Sequence, residues 1–555
     1  MTNPTEGVPQ KHPSLFEPAT LLLIAVLCVF GAIIGMQLLV SLGITANTSL
    51  IGALAAMALA RVPLAIFARY RSIHVQNLAQ SAISSATFGA ANSLLLPVGI
   101  PWLLGRPDLV LPMLAGAFFA MLLDAYLLYR MFDSRVFPAQ GAWPPGVAAA
   151  EAIKAGDEGG RKAVLMGIGF GTGVVASFIK IPLAWIGFAG SAAVTGIPMS
   201  AFGVAFIGNI WALLMFGVGL LLRGYSGQLF SGPTFASIIP KGDLMAAYIP
   251  HGFMIGAGLV ALLQVASLLF RRGDANGEAA SGVSDAEVKR ALGLGTVGYL
   301  VIAVFIAIVG GLMTDMSVGM LILFVLYAAF AAYVHELIVG LAAMHSGWFP
   351  AFAVALITLI IGMLLGFPMP ALALLVGFSA ATGPAFADMG YDLKAGYLLR
   401  GNGANPAFEL EGRRQQLFAA MFAFVVAGAV VLVSYQSFFD QNLVAPVDKV
   451  YAATIKAGVA PGVAWQLFIW AIPGAILQFI GGPKRQIGVL FATGLLINFP
   501  MAGWAVLAGI LCRIIWEKLR GAGGEGDMEV FAAGVIAGDA IFSFFDSVSK
   551  NFWKR

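Results

Sequence analysis

The residues of this sequence most able to do chemistry are ionisable side chains set inside long apolar runs. His335-Glu336, with His345 ten residues later, forms the densest group. His251 follows Pro250 in one run, Asp539 lies in another, and Asp124 sits within LLDAYLLYR (122–130). Asp388, Asp392 and Lys394 fall where a further run opens into a polar stretch, 389–413. An ionised group at the centre of a bilayer costs on the order of 3 kcal/mol, so each of these needs a partner or a purpose. The purpose that fits carboxyl and imidazole groups at depth is proton carriage, and histidine titrates near neutral pH without special tuning. Glu336, His335, His251, Asp539 and Asp388 are therefore the proton-coupling candidates. At helical spacing His335 and His345 face differently and do not make one simple site. Asp124 has a plainer expectation, pairing with Arg130 or snorkelling.

Enzymatic readings fail on pattern. His335-Glu336 lacks a second histidine four residues after the first, because position 339 is Val, so the zinc-protease spacing is absent. Gly224-Tyr225-Ser226-Gly227 stands beside Arg223 in a loop-like stretch. Pro370-Ala371-Leu372, Tyr391-Asp392 and Gly524–Asp527 are the fragments of an intramembrane aspartyl protease in the wrong order. No G-x-x-x-x-G-K-[ST] sequence supplies an ATP-driven motor. Neither a metal nor a cofactor is expected, and the chain reads as a non-enzyme.

The elements that must position these groups are membrane helices. The chain of 555 residues is 60% hydrophobic and only 10% charged, with mean hydropathy +0.91. Soluble domains carry roughly 25% charged residues, and a globule of this composition has too little polar surface to cover itself. The apolar runs reach ~20 residues, the length that crosses a bilayer as a helix, and they lack the alternation of barrel strands. Sixteen segments are visible, from 18–42 to 528–548, and fourteen to sixteen spans is the expected range. Two to three are broken by Pro or Gly. PLAWIGFAGSAAVTGIP (182–198) is too short to span comfortably and is expected to be re-entrant. The fold class is thus all-α and polytopic. Arg and Lys clusters around 61–71, 130–135, 271–290 and 400–414 place those loops and both tails inside. The net charge of +4 follows from these flanks and gives no sign of nucleic acid. Cys28 and Cys512 both lie in spans, and no disulfide framework is expected.

The sequence also repeats. AAEAIKAG (149–156) and YAATIKAG (451–458) match at five of eight positions. A Gly-Val-x-Phe helix ending in Arg follows each (Gly203 to Arg223; Gly488 to Arg513), and then Gly-Asp opens a Gly-rich helix (Gly242-Asp243; Gly526-Asp527). The order predicts two halves of about eight helices, 18–270 and 291–549, joined by a polar linker at 271–290 and flanked by tails at 1–17 and 550–555. An even number of spans per half predicts parallel repeats. Repeated halves around a midplane site are a secondary-transporter architecture. Lys154 and Lys456 stand at matching positions. They either attract a substrate carboxylate or mark a membrane edge.

Four stretches then carry a resemblance. WPPGVAAAEAIKAG (143–156) keeps Pro144, Gly146, Ala148, Ala150 and Glu151 of a recurrent pattern, with Pro145 and Val147 departing from it. HVQNLAQS (74–81) retains Asn77 and Gln80 of an Asn-x-x-Gln helix start. DLKAGYLLR (392–400) with RRQQ (413–416), and GVIAGDAIF (534–542), follow in order. Together they resemble the oligopeptide transporter superfamily, which includes the yellow stripe-like metal-chelate transporters, over about 18–548. The resemblance implies a multi-pass protein of the plasma membrane, or the inner membrane of a bacterium. It also implies proton-coupled uptake of short peptides or peptide-like metal chelates by alternating access, as a monomer or a homodimer. It adds Glu151, Asn77, Gln80, Asp392, Lys394 and Tyr397 as substrate or gating candidates, beside the matching lysines Lys154 and Lys456 and the intramembrane His345. The turn AAMHSGWFP (342–350) departs from the family pattern.

Overall fold

A computed structural model describes residues 12–42, 70–182, 194–270, 282–347, 350–458, 461–520 and 525–552. The chain begins with α1 (Pro18–Leu42) and α2 (Ile73–Phe88). A π-helical segment (Gly89–Leu95) runs straight on into α3 (Leu96–Leu103). Next come α4 (Val110–Met131), the amphipathic α5 (Pro144–Glu158) and α6 (Gly160–Phe178). Two short strands, β1 (Lys180–Pro182) and β2 (Val194–Gly196), pair antiparallel. They flank residues 183–193 of the expected re-entrant segment, which lie outside the described residues. Then follow α7 (Met199–Ile207), α8 (Ile210–Gly224) and α9 (Ile249–Phe270).

The second part holds α10 (Asp285–Val309), α11 (Val318–Ser346), α12 (Ala351–Leu364), α13 (Met369–Ala381), α14 (Pro384–Leu399) and α15 (Pro406–Asp440). The chain closes with α16 (Pro446–Ala457), α17 (Val463–Arg485), α18 (Ile487–Leu496), α19 (Pro500–Arg520) and α20 (Glu525–Phe552). Among the described residues nine helical stretches are long and apolar enough to cross a bilayer, and four shorter apolar helices join them. The expected span 199–222 is two helices, broken at Gly208-Asn209, where Asn209 caps α8. The linker ends earlier than expected, because Ser284 and Glu287 form a capping box that starts α10 at Asp285.

Burial sorts these helices. α2–α3 and α13–α14 are enclosed by protein along almost their whole length. The surrounding helices turn Leu22, Phe30, Val301, Ile322, Val433 and Phe479 outward, as lipid requires. The inner pair therefore has freedom to carry polar groups that a lipid-facing helix lacks.

Counted outward from the two IKAG copies on α5 and α16, corresponding helices run in opposite directions. The broken helix α2–α3 lies antiparallel to α13–α14, with Gln80 opposite Asp392, Ser84 opposite Asp388 and Pro97 beside Gly377. Helix α8 lies antiparallel to α19, with Gly217 beside Leu507 and Leu221 beside Gly503. Neither pair shows the parallel arrangement expected from an even span count. The expected span at 46–67 lies outside the described residues.

Two glycine seams close the outer layer. Gly169 and Gly173 of α6 face Gly534 and the Val535–Asp539 backbone of α20. Gly252 and Gly256 of α9 face α17, whose Gly474 returns the contact at Phe253. A Cβ at Gly534 would run into the Met166 carbonyl. Gly534→Leu is therefore expected to lower stability by about 1–3 kcal/mol through overpacking, read as a drop in the detergent-solubilised melting temperature. An unchanged melting temperature would count against close backbone approach there.

Candidate functional site

The chemistry gathers where the two inner helices break. At the α13–α14 junction Gly383 takes φ +93, a conformation that favours glycine, and exposes its N–H at the start of α14. Asp124 of α4 accepts that N–H on Oδ2 at 2.6 Å. A carboxylate at a helix N-terminus meets the positive end of the helix dipole. Its Oδ1 lies 2.5 Å from Tyr299 Oη on α10, and the same phenol lies 2.6 Å from Glu336 Oε2 on α11. All three side chains are fully buried. A phenol owns one proton and can donate it once. Two short oxygen contacts then require a second proton, held on one of the carboxyls. Glu336 Oε1 has no partner in the structure.

This corrects the reading of Asp124. Arg130 instead donates to Tyr126 at 3.1 Å. Six residues separate Asp124 from Arg130, and that spacing puts them on different faces of the helix.

One to two turns along α14 stand Asp388 and Asp392, both fully buried. Ser84 donates to Asp388, and Ser85 lies 3.3 Å from Asp388 and 3.4 Å from Asp392. Asn77 donates to Gln80 at 2.9 Å, and Gln80 donates to Asp392 at 2.6 Å. From α15, Gln416 donates to the Asp392 carbonyl at 2.6 Å and to Ser81 at 3.0 Å. Residues of two of the four recognisable stretches thus tie into one knot between α2, α14 and α15. Asp392 and Lys394 are not at a loop edge, since α14 continues to Leu399 and only 400–405 is loop. Lys394 turns away from both aspartates, donating to the Ala139 carbonyl at 2.9 Å with its ammonium 5.8 Å from the Tyr397 ring centroid. Tyr397 in turn accepts from Gln140 at 3.2 Å.

A charged clasp closes one end of the knot. Arg400 and Arg413 both grip Glu409 at 2.7 Å, and Arg413 reaches Asp133 at 3.0 Å. Beside it the His12 ring packs on His74 and Phe408, centroids 5.2 and 5.1 Å away. Burial pushes the His12 pKa below its usual 6.5, against the opposing pull of the Pro13 carbonyl. The unfolded chain therefore binds more protons below that value, and stability from this docking is lost as pH falls through it. Wild-type protein is expected to lose more melting temperature between pH 7.5 and 5.5 than His12→Phe; equal losses would contradict this.

The remaining candidates stand apart. His335 bonds the Ser379 carbonyl by its Nδ1, and His345 bonds the Leu341 carbonyl at 2.9 Å. Asp539 accepts from Ser177 at 2.5 Å and from the Ser200 N–H at 2.7 Å, which fixes α20 to α6 and α7. Lys154 pairs with Glu151 at 2.8 Å, while Lys456 donates to the Leu103 carbonyl at 3.2 Å, so the matching lysines are differently engaged. His251 is buried with neither ring nitrogen bonded. Matching the Gly-x-x-x-Gly seams of α9 and α20 puts His251 opposite Ala533, so His251 and Asp539 share corresponding helices but not positions. Asp527, the would-be protease partner of Asp392, is held by Arg161 at 2.5 Å. Cys28 and Cys512 are free thiols.

The family model described as OPT oligopeptide transporter protein matches residues 19–550, nearly the entire length. The chain belongs to the oligopeptide transporter family. Members of this family are transporters, so the oligopeptide-transporter chain is a multi-pass membrane transporter. Comparison with curated individual proteins gives no match.

Sequence reasoning missed Tyr299, Ser84, Ser85 and the depth of Asp392. A lone tyrosine in an apolar run carries no signal of its own. The serines had one: ISSATFGAANS (83–93) is polar for a span, which marks a helix walled by protein rather than lipid.

Proposed function

We propose that this transporter imports short peptides, or peptide-like metal chelates, together with protons. The observation that carries the proposal is the Asp124–Tyr299–Glu336 bridge, whose hydrogen bonds need one more proton than the phenol supplies. It joins helices α4, α10 and α11 to the N-terminus of α14, so losing the proton would leave two carboxylates competing for one donor and bias the packing at the break. The Asp388–Asp392 knot is the gating element one to two turns away, with Asn77, Gln80 and Gln416 holding its polar register. We read 18–270 and 291–549 as inverted copies, with α10 as an added helix. The inverted packing of the broken helices supports alternating access, because such repeats exchange inward- and outward-facing forms around a midplane site.

The test is uptake into proteoliposomes loaded with a pH dye under an inward proton gradient, using pools of di- to hexapeptides and then metal-chelate mixtures. Substrate-dependent acidification in wild type, lost in Glu336→Gln with substrate exchange retained, is the expected result. Substrate movement without acidification would overturn proton coupling, and ion current without substrate would mean a channel.

A further inference from the structure

The His251 region has a feature that the carboxyl clusters leave unused. A cavity of about 210 Å³ lies between the start of α9, the middle of α12 and the end of α16. Its walls are Met245, Ala246, Tyr248, His251, Leu356, Ile360, Thr454 and Gly458. None of these is charged, and the nearby Arg223 is engaged by Asp243 at 3.5 Å. His251 is only 3% exposed, yet neither imidazole nitrogen has a hydrogen-bond partner. Buried polar atoms in folded proteins are otherwise bonded, and each exception calls for an account. Tyr248 holds φ +54, an uncommon backbone state for a bulky residue, and its ring lies 5.6 Å from that of His251. Gly458, the last residue of the second IKAG copy, closes the wall at φ +77.

We propose that this cavity is a side-chain subsite for an uncharged apolar residue of the transported peptide, with His251 bonding a neighbouring peptide group. The proposal rests on the peptide-transport reading. A dry apolar cavity of ~150 Å³ admits benzene, so this one has room for a leucine or phenylalanine side chain. The imidazole offers one donor and one acceptor, the complement of an amide. An ionised side chain would find no counter-charge in these walls and would be excluded. Position favours a peptide over a lipid acyl chain, because α16 packs directly on α3 of the enclosed inner helix through Lys456 and Gly99.

Two measurements on the full-length protein separate the subsite from the transport reading. The first is binding of N-acetyl-phenylalaninamide to detergent-purified protein by calorimetry. Wild type is expected to bind it at least tenfold more tightly than Leu356→Trp or Thr454→Phe, which fill the cavity from different helices, while His251→Ala weakens binding and His251→Gln partly restores it. Absence of binding, or binding indifferent to both filling variants, would overturn the subsite whether or not peptides are transported. The second is uptake of Ala-Phe-Ala against Ala-Ala-Ala and Ala-Lys-Ala. The filling variants should remove the preference for Ala-Phe-Ala over Ala-Ala-Ala, and a preference kept in both would overturn the subsite. Probe binding without uptake of any peptide would reject the transported-peptide assignment. A co-purifying lipid seen by native mass spectrometry in wild type and lost in both filling variants would assign the cavity to an acyl chain instead.

Discussion

Replacing Tyr299 by phenylalanine is expected to cut substrate-driven acidification by roughly 10- to 100-fold, the equivalent of the about 1.5–3 kcal/mol that a hydrogen bond to a charged group contributes. Among the described residues, the hydroxyl bonds both Asp124 and Glu336. Without it Asp124 keeps the Gly383 N–H, but Glu336 loses the Tyr299 hydroxyl and, among the described residues, both its oxygens stand unbonded. The variant removes one oxygen atom and leaves the ring packing on Tyr333 and Phe378 in place. A transport defect can therefore be told from a packing defect by comparing acidification with substrate exchange at equal proton concentration on both sides. Exchange should persist while acidification falls. Wild-type acidification in Tyr299→Phe would show that the bridge takes no part in coupling.

The second large effect is on stability. Glu409→Leu should lower it by about 3–5 kcal/mol, because removing one member of a buried ionic group leaves uncompensated charge behind. Arg400 has no side-chain exposure and Arg413 has 5%, so water cannot replace the lost carboxylate. The triple variant Arg400→Met, Glu409→Leu, Arg413→Met is the informative contrast. Exchanging a buried ionic triad for apolar residues of similar volume is often neutral or stabilising. The single variant should therefore melt well below wild type, and the triple variant above the single one but short of wild type, because Asp133 loses Arg413. If the single variant melts like wild type, the clasp is solvated and contributes nothing to the fold.

Much of this arrangement was legible before any coordinates. The apolar runs announced the helices. The carboxyl groups at depth stood out because lipid makes them expensive. What failed was the assumption that every helix is solvated by lipid. The stretch 389–399 contains Gly, Asp and Lys, and hydropathy marks such a stretch as loop. The structure continues it as helix because α2, α5 and α15 surround it and supply hydrogen bonds. Asp124 was misread for a related reason. Its nearest cation in sequence is not its neighbour in space, and its actual partners lie 175 and 259 positions away.

If α10 is the added helix of two inverted copies, as proposed above, it has an energetic consequence. In a carrier built from two identical inverted halves, the form open to one side is the mirror of the form open to the other, and neither is favoured. Tyr299 is supplied by α10, which has no twin, so no second phenol stands at the symmetry-related place to bridge another pair of acids. The two facing forms then differ in free energy by whatever this bridge gains in one of them, and each 1.4 kcal/mol of that difference is a tenfold preference at rest. On the proposed proton coupling, protonation would act on a balance that is already tilted, and the tilt would give an otherwise reversible machine a resting side.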